Sequence, residues 1–533
     1  MRSSALKVGR ALLAALPFLA GALVAMGPTL LHADWPENHE GLGAFSRVEH
    51  FRRAFLEGDF FPLWSRFCFQ GHGTPAPLLY HRLFNFVAGA FAVPLGTDAG
   101  LRVGLWLFGA LGMAGLYRAA RGLGADAWVA FAAAWAFVSA PYVMTDWLIR
   151  GSPAEATAVL LTPWLLEGLL RWVRGERAHL SLGLWLAALF HAHMVMFLFA
   201  APLVALAFAL RLRLPGRTVA VADAAIAGGV VLLVAGPVAF LVLKLGPFFR
   251  VDALNMFLPW DQLVAWPGYF ADTAFQWGRQ WQGVSVEVGR WLWASLALGA
   301  VAGLAKDLRR VKAAPVALLA GAIVFYGFLQ LEVSMPLYRA VPRATLLQFP
   351  WRLVGFLTPA VALLAAALWG AAARGGLKRR LAGALVWAVV AVLHLASAWR
   401  AQAIHYQRYT PEVYAQHVTH LDDPWTAREM MPVTVGYEPP PRTPLVRVDG
   451  CTVVRQRPEL GEETHFRVLE VELDAPQGCV VALSQFATPI LTAEGDGVEG
   501  RLADGTLALQ VRPGGTVARF RVRSVWELFR ALL

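Results

Sequence analysis

Long apolar segments separated by short basic loops run from Ala11 to about Ala398, and this alternation constrains the fold more than any other feature. A run of about 20 apolar residues crosses a bilayer as a helix, because a helix satisfies its backbone polar groups within the segment. Charged residues are only 16% of the chain and hydrophobic residues 57%, with a mean hydropathy of +0.51. A soluble domain of this size needs far more surface charge. The chain therefore reads as a polytopic membrane protein with the lipid bilayer as its first partner. Its chemistry is expected where polar side chains gather on one side of that bilayer.

The net charge of +11 and pI near 9.9 invite a nucleic-acid reading, but the positions of the charges exclude it. Basic residues cluster in the short loops: Arg2/Lys7/Arg10, Arg118/Arg121, Arg171/Arg174/Arg177, Arg211/Arg213/Arg217, Lys306/Arg309/Arg310/Lys312 and Arg374/Lys378/Arg379/Arg380. That is the positive-inside bias of a membrane protein, so these loops mark the cytoplasmic face and no nucleic acid is expected. The run Ala11–Leu31 is long for a signal peptide, and Leu31-His32-Ala33 is a poor cleavage site. It reads as a retained anchor with the N-terminus inside.

Threading the apolar runs against the basic loops places spans near 10–32, 101–118, 126–143, 155–172, 180–194, 195–210, 219–243, 289–305, 313–333, 351–372 and 380–398. This gives about eleven crossings, with segments 33–77 and 244–288 outside. Leu78–Leu95 carries Arg82 and is bounded by prolines. As a span it would invert the charge rule, so it is read as interfacial or re-entrant. Leu180–Leu210 is read as a hairpin with His191 and His193 at its outer turn.

The character changes after residue 400. Residues 401–440 read as a linker containing Tyr437-Glu438-Pro439-Pro440-Pro441. Residues 441–533 contain short alternating runs punctuated by Asp449-Gly450, Asp496-Gly497 and Asp504-Gly505. The expected fold is thus an all-α polytopic membrane domain, 1–400, followed by a small extracytoplasmic β-rich, sandwich-like domain. Cys451 and Cys479 fall in this domain and could form a disulfide or remain two thiols. With Cys68 they make no metal-ligand or redox motif.

Placing the basic loops inside leaves most acidic and histidine residues of the membrane part outside. Asp34 follows the first span directly, which puts its carboxylate at lipid head-group depth, near Glu37, His39 and Glu40. Those glutamates read as solvated loop residues. Pro141-Tyr142…Asp146…Arg150-Gly151…Glu155 forms an outer helix junction in which an ionisable pair at the bilayer edge needs a partner or a hydrated cavity. A structural ion pair and an anion-binding Arg150 with an orienting Glu155 are both open there. His191 and His193 are either buried structural histidines or ligands. Trp260, Trp266, Trp277 and Trp281, with Arg250, Asp252, Asp261 and Asp272, suit sugar stacking and an interfacial belt equally. Gln348-Phe349-Pro350-Trp351-Arg352 opens a span, and Arg352 is expected at phosphate depth with Arg339 and Arg343.

Three of these blocks together carry a resemblance: Gly58-Asp-Phe-Phe-Pro-Leu-Trp64…Gly71-x-Gly73, Pro141-Tyr142…Arg150-Gly151…Glu155, and Gln348-Phe-Pro-Trp-Arg352. They look like the bacterial membrane family labelled "6-pyruvoyl-tetrahydropterin synthase-related", which is similar in architecture to the GT-C membrane glycosyltransferases. The resemblance covers most of the chain, including the β-rich tail. Its label implies pterin chemistry, but such a synthase needs a His-rich zinc site that this chain lacks. The GT-C similarity implies sugar transfer from a polyprenyl-phosphate donor to an envelope glycan, lipid or protein acceptor at a bacterial inner membrane. It also implies a first-loop acid at the reacting centre, which maps onto Asp34. Oligosaccharyltransferase members end the second block in paired metal-binding acids, whereas here Ala154 and Ala156 flank a single Glu155. No metal ligand or cofactor is therefore assigned, and a divalent ion is doubtful.

The expected mechanism has Asp34 or His39 as general base, with Glu155 orienting, in one inverting displacement. Arg150, Arg352 and Arg250 would neutralise the lipid phosphate, with Tyr142 and His191 lining its site. A transporter or flippase of lipid-linked envelope material and a non-catalytic assembly protein are the alternatives. Transporters place charge at the midplane and carry repeats, whereas charge here gathers at one face.

Overall fold

The computed structural model describes residues 2–40, 42–250, 258–264, 285–304, 313–342, 344–374, 376–401, 406–407, 430–435, 438, 440–459 and 464–533. Asp252, Trp266, Asp272, Trp277, Trp281, Arg343, Tyr437 and the basic loop 306–312 lie outside the described residues. The helices in chain order are α1 (Arg2–Leu30), α2 (Gly43–Leu56), α3 (Ala76–Leu79), α4 (Arg82–Leu95), α5 (Thr97–Gly122), α6 (Ala127–Val138), α7 (Pro141–Leu148), α8 (Pro153–Trp172) and α9 (His179–Ala192). They continue as α10 (Met194–Leu212), α11 (Arg217–Val234), α12 (Gly236–Leu245), α13 (Arg290–Leu304), α14 (Ala313–Leu329), α15 (Met335–Ala340), α16 (Val354–Ala373), α17 (Leu377–Ala401) and α18 (Val525–Leu532).

The chain divides into two compact units: Met1–Gly41, Arg102–Gly236 and Phe257–Arg408 form the first, and Leu42–Leu101, Pro237–Met256 and Tyr409–Leu533 the second. Six described stretches are long and apolar enough to cross a bilayer: Leu13–Leu30, Thr97–Gly122, Met194–Leu212, Arg217–Val234, Pro350–Ala373 and Leu377–Trp399. The pair α6 and α7, bent by 41° where Ser139-Ala140-Pro141 interrupts the ladder, is a seventh. Shorter apolar helices cover 82–95, 179–192, 236–248 and 313–329. The chain is a multi-pass membrane protein.

In the first unit, α16 is the central post, with every residue from Pro350 to Ala373 in its apolar window sheltered except at the ends of the turn. Its sequence is mostly Ala, Leu, Val and Gly, so neighbouring backbones approach closely. A Cβ on Gly355 would lie 2.8 Å from Val159, and one on Gly370 would lie 2.7 Å from the Gly124 carbonyl. The C-terminal end of α1 is fixed from α5. Arg102 donates to the carbonyls of Thr29, Leu30 and His32 at 3.0, 3.2 and 2.8 Å, and to that of Asp34 at 3.4 Å. One guanidinium thereby satisfies carbonyls that a helix end leaves unpaired. The short strands β1 (Trp35–Pro36) and β2 (Tyr406–Gln407) then pair antiparallel.

The second unit holds two four-stranded antiparallel sheets. One has the order β4 (Thr452–Arg457), β5 (Val468–Ala475), β10 (Gly515–Val522), β7 (Leu491–Gly495); the other has the order β3 (Val446–Asp449), β6 (Cys479–Phe486), β9 (Thr506–Val511), β8 (Gly497–Arg501). Alternation along β5 buries Leu469, Val471, Leu473 and Ala475, the pattern of a sandwich face. Gly450 and Gly505 turn the chain with φ of +87° and +84°, as the Asp-Gly pairs predict. Cys451 and Cys479 form a disulfide that joins the two sheets.

This unit also takes in residues Leu42–Leu101. Trp64 Nε1 donates to Gln485 Oε1 at 2.9 Å, and the Phe486 amide donates to the His72 carbonyl at 2.8 Å. Glu49 on α2 accepts from Arg52 and Arg53 at 3.0 and 2.8 Å and from the Thr97 hydroxyl. The 14 residues of α4 rise about 21 Å, short of the ~30 Å hydrocarbon core.

Candidate functional site

The polar residues of the first unit converge on the carboxylate of Glu155, which is fully buried in the first turn of α8. Pro153 starts that helix without needing a backbone donor, and the helix N-terminus favours the negative charge. Ser152 and Gly151 precede it, and Gly151 has a φ of +74°. The Asn38 side chain fills the space where a Gly151 side chain would begin, and the His39 amide donates to the Ile149 carbonyl at 3.0 Å. Only glycine fits a left-handed turn pressed so closely from the first loop.

Two guanidiniums from different elements meet Glu155 Oε2. Arg150 bonds it from the turn before α8, and Arg352 Nε donates at 2.8 Å from the turn before α16. Tyr142 on α7 donates its hydroxyl to Oε1 at 3.0 Å. His193 sits in the turn between α9 and α10, where its Nδ1 accepts from the Met196 amide. The proton therefore belongs on Nε2, which faces Glu155 Oε2 at 3.5 Å. Aromatic rings of the Phe349-Pro-Trp block complete the arginine sites. Arg150 lies over Trp351 and Phe349 at 4.8 and 5.3 Å, and Arg352 lies over Phe349 at 4.9 Å. Gln348, with φ +54°, makes the sharp turn into this block.

Asp146 lies beside the cluster, fully buried, with Arg150 Nη1 3.6 Å from Oδ1. Neither of its oxygens has a hydrogen-bond partner among the described residues. A carboxylate so placed has accepting capacity left for a ligand. The segment before α13 lines the other side of α7. The Ser285 carbonyl accepts from Thr145, and the Glu287 carbonyl accepts from the Tyr142 amide.

The structure thus brings together Tyr142, Arg150, Glu155 and Arg352, with the backbone of His39 against the same turn. Asp34 is half-buried just beyond α1. Its amide bonds His32 Nδ1 at 3.0 Å, and its carbonyl is held by Arg102. His191 points elsewhere, with Nε2 3.2 Å from the Val234 carbonyl. Arg250 belongs to the second unit, where its side chain and amide bond the carbonyls of Val435 and Met431. Trp260 lies under Arg339. Sequence reasoning gave no role to Asp146. His193 was weighed only as the neighbour of His191. The signal that separates the two is its place as the last residue before a new helix, where a ring can cap and turn inward.

Among the described residues, no group of three or more His, Cys, Asp or Glu side chains is placed to hold a metal ion. Glu155 is already engaged by two guanidiniums, whose charge repels a divalent cation, so this cluster fits one poorly. It fits an anion brought against the arginines.

No protein-family model matches the chain, and no curated protein matches it. Solved structures are similar to it in fold. The arabinofuranosyltransferase AftD from Mycobacteria aligns over 73% of this chain at 18% identity and a TM-score of 0.48. The archaeal oligosaccharyltransferase AglB from Archaeoglobus fulgidus, in complex with an inhibitory peptide and a dolichol-phosphate, aligns over 78% at 12% identity and 0.45. ArnT from Cupriavidus metallidurans, bound to undecaprenyl phosphate, aligns over 77% at 15% identity and 0.44. This chain spans 27%, 61% and 78% of their respective lengths.

Proposed function

We propose that this chain is a GT-C-type membrane glycosyltransferase, transferring a sugar from a polyprenyl-phosphate donor to an envelope acceptor on the extracytoplasmic side of a bacterial inner membrane. The observation that carries the reading is the meeting of Arg150 and Arg352 on buried Glu155, beside a carboxylate with unused acceptor capacity. Such a preorganised pair of guanidiniums suits a leaving group that is already an anion, because it needs charge neutralisation more than a proton. Glu155, Tyr142 and His193 hold the arginines in place without solvent, which strengthens the field they exert.

The acceptor hydroxyl attacks the anomeric carbon and loses its proton to Asp34, or to His39. The bond from that carbon to the lipid phosphate oxygen breaks, and the phosphate leaves onto the arginines. One displacement inverts the anomeric centre. The β-rich unit and the kinship to the pterin-labelled family belong to the same reading.

The test is donor consumption by the purified chain offered a panel of polyprenyl-phosphate sugars, undecaprenyl carriers first, with envelope extract as acceptor. Turnover that is lost in Glu155→Gln supports the reading. Movement of intact lipid-linked material across vesicles with no sugar released would replace it with a flippase.

A further inference from the structure

We propose that the C-terminal helix α18 and the groove beside it form a second membrane-docking surface, which lies on the head groups of an anionic leaflet. This inference rests on the multi-pass character of the chain and not on its catalytic activity.

The helix is set firmly. Ser524 and Glu527 form a reciprocal capping box at its start, and Leu528 is fully buried beneath it. Phe529 stacks on Phe240 of α12 with ring centroids 4.6 Å apart and planes 10° from parallel. The helix α12 is itself a short apolar helix of the same unit, and it follows α11 after the single residue Ala235. The helix α11 is an apolar segment of bilayer length.

The helix α18 and the residue after it expose side chains that water does not favour. Trp526 is 76% exposed and Leu533 is 88% exposed. A groove of about 430 Å³ runs alongside, in which Trp526 faces Phe60, itself 67% exposed, and Phe61. The apolar surface continues from there. Phe60 stacks on Phe55, which meets Phe86 of α4 edge-on, and α4 exposes Phe91 and Leu95 further along. A contiguous aromatic surface of this kind marks an interaction site, and tryptophan favours the interface over both water and hydrocarbon.

The charge pattern selects the occupant. Arg467 and Arg523 line the groove, and Arg530 stands exposed on α18. The nearby acids are already engaged: Asp59 with His465 and the Phe61 amide, and Glu527 with Arg521 and Ser524. Cations ringing exposed aromatics complement lipid phosphates. The surface therefore receives an anionic phospholipid, with the phosphate on Arg467 and Arg523 and with Trp526 and Leu533 among the upper acyl carbons.

The full chain is reconstituted in nanodiscs with single spin labels at Trp526→Cys, at Leu533→Cys, and at Val454→Cys on the exposed strand β4 as the aqueous reference. Collision rates with oxygen and with a water-soluble nickel chelate report immersion. At positions 526 and 533 oxygen collisions should exceed nickel collisions several-fold, with the reverse at 454. The excess should be greater in phosphatidylglycerol discs than in pure phosphatidylcholine, and Arg467→Gln/Arg523→Gln should abolish that difference. Nickel-dominated collisions at both 526 and 533 overturn the proposal. So does shielding that appears only when soluble envelope glycan is added, which would make the groove a sugar site.

Discussion

Each unit contains a buried glutamate held by two arginines, and the two are built differently. Glu49 takes its partners from its own helix, at the i+3 and i+4 positions of α2, with Thr97 added from the start of α5. Glu155 takes its arginines from either side, one five residues before it in the turn that leads into α8 and one 197 residues after it. Its hydroxyl partner comes from α7 and its imidazole partner from the turn between α9 and α10. A local pair needs little beyond the helix that carries it. A cluster assembled from four elements must be stabilised by the surrounding fold, and it leaves Asp146 with unused oxygens. The difference separates a staple from a site.

Substitutions should break that comparison unequally. Arg352→Gln should lower transfer about a thousandfold, because it removes one fixed donor from the leaving phosphate. Donor consumption by protein of unchanged gel-filtration profile measures it, and a wild-type rate would strip the cluster of its proposed role. Asp34→Asn should cost roughly a hundredfold through loss of the base. If that variant is unaffected while His39→Gln is slow, the base is His39. Glu49→Gln should behave in the opposite way. The second unit loses about 3 kcal/mol of stability, most of it because the buried Arg53 guanidinium loses its counter-charge, with the part-exposed Arg52 adding little. Transfer per folded molecule stays unchanged, and denaturant titration beside the transfer assay separates the two effects.

The smallest effect concerns pH. Burial, and then the charges of Arg53, His465 and Arg47, pull His50 on α2 down to about 3 from its ordinary 6.5. Between those values only the unfolded chain binds the proton. The second unit should therefore lose stability as pH falls through this window, by up to about 1.4 kcal/mol per pH unit. His50→Gln should flatten that slope in thermal melts taken across the range.

The membrane character, the break at Gly151 and Pro153, and the span opened by Arg352 are all legible in the sequence, since hydropathy and backbone breakers act locally. The strands of the tail are legible for the same reason, from their alternation and Asp-Gly turns. The disulfide needed the fold, because Cys451 meets Cys479 only once β3, which ends just before Cys451, pairs with β6. The choice of His193 over its neighbour at Glu155 depends on where α9 stops, since His193 alone caps the next helix and faces Glu155. Asp146 was hidden similarly, because its i,i+4 spacing to Arg150 does not reveal that both its oxygens stay without hydrogen bonds among the described residues. Nor does any periodicity announce that residues 42–101 share a unit with the sheets.

That last interleaving bears on how the protein is made. Trp64 finds its partner Gln485 only after 421 more residues have been added. At ~5–20 residues per second the ribosome needs roughly 20–80 s to supply them. During that interval a stretch rich in phenylalanine waits half-finished. Biogenesis of this chain should therefore depend on a holdase or on the bilayer surface itself to shelter the early segment until the last strands emerge.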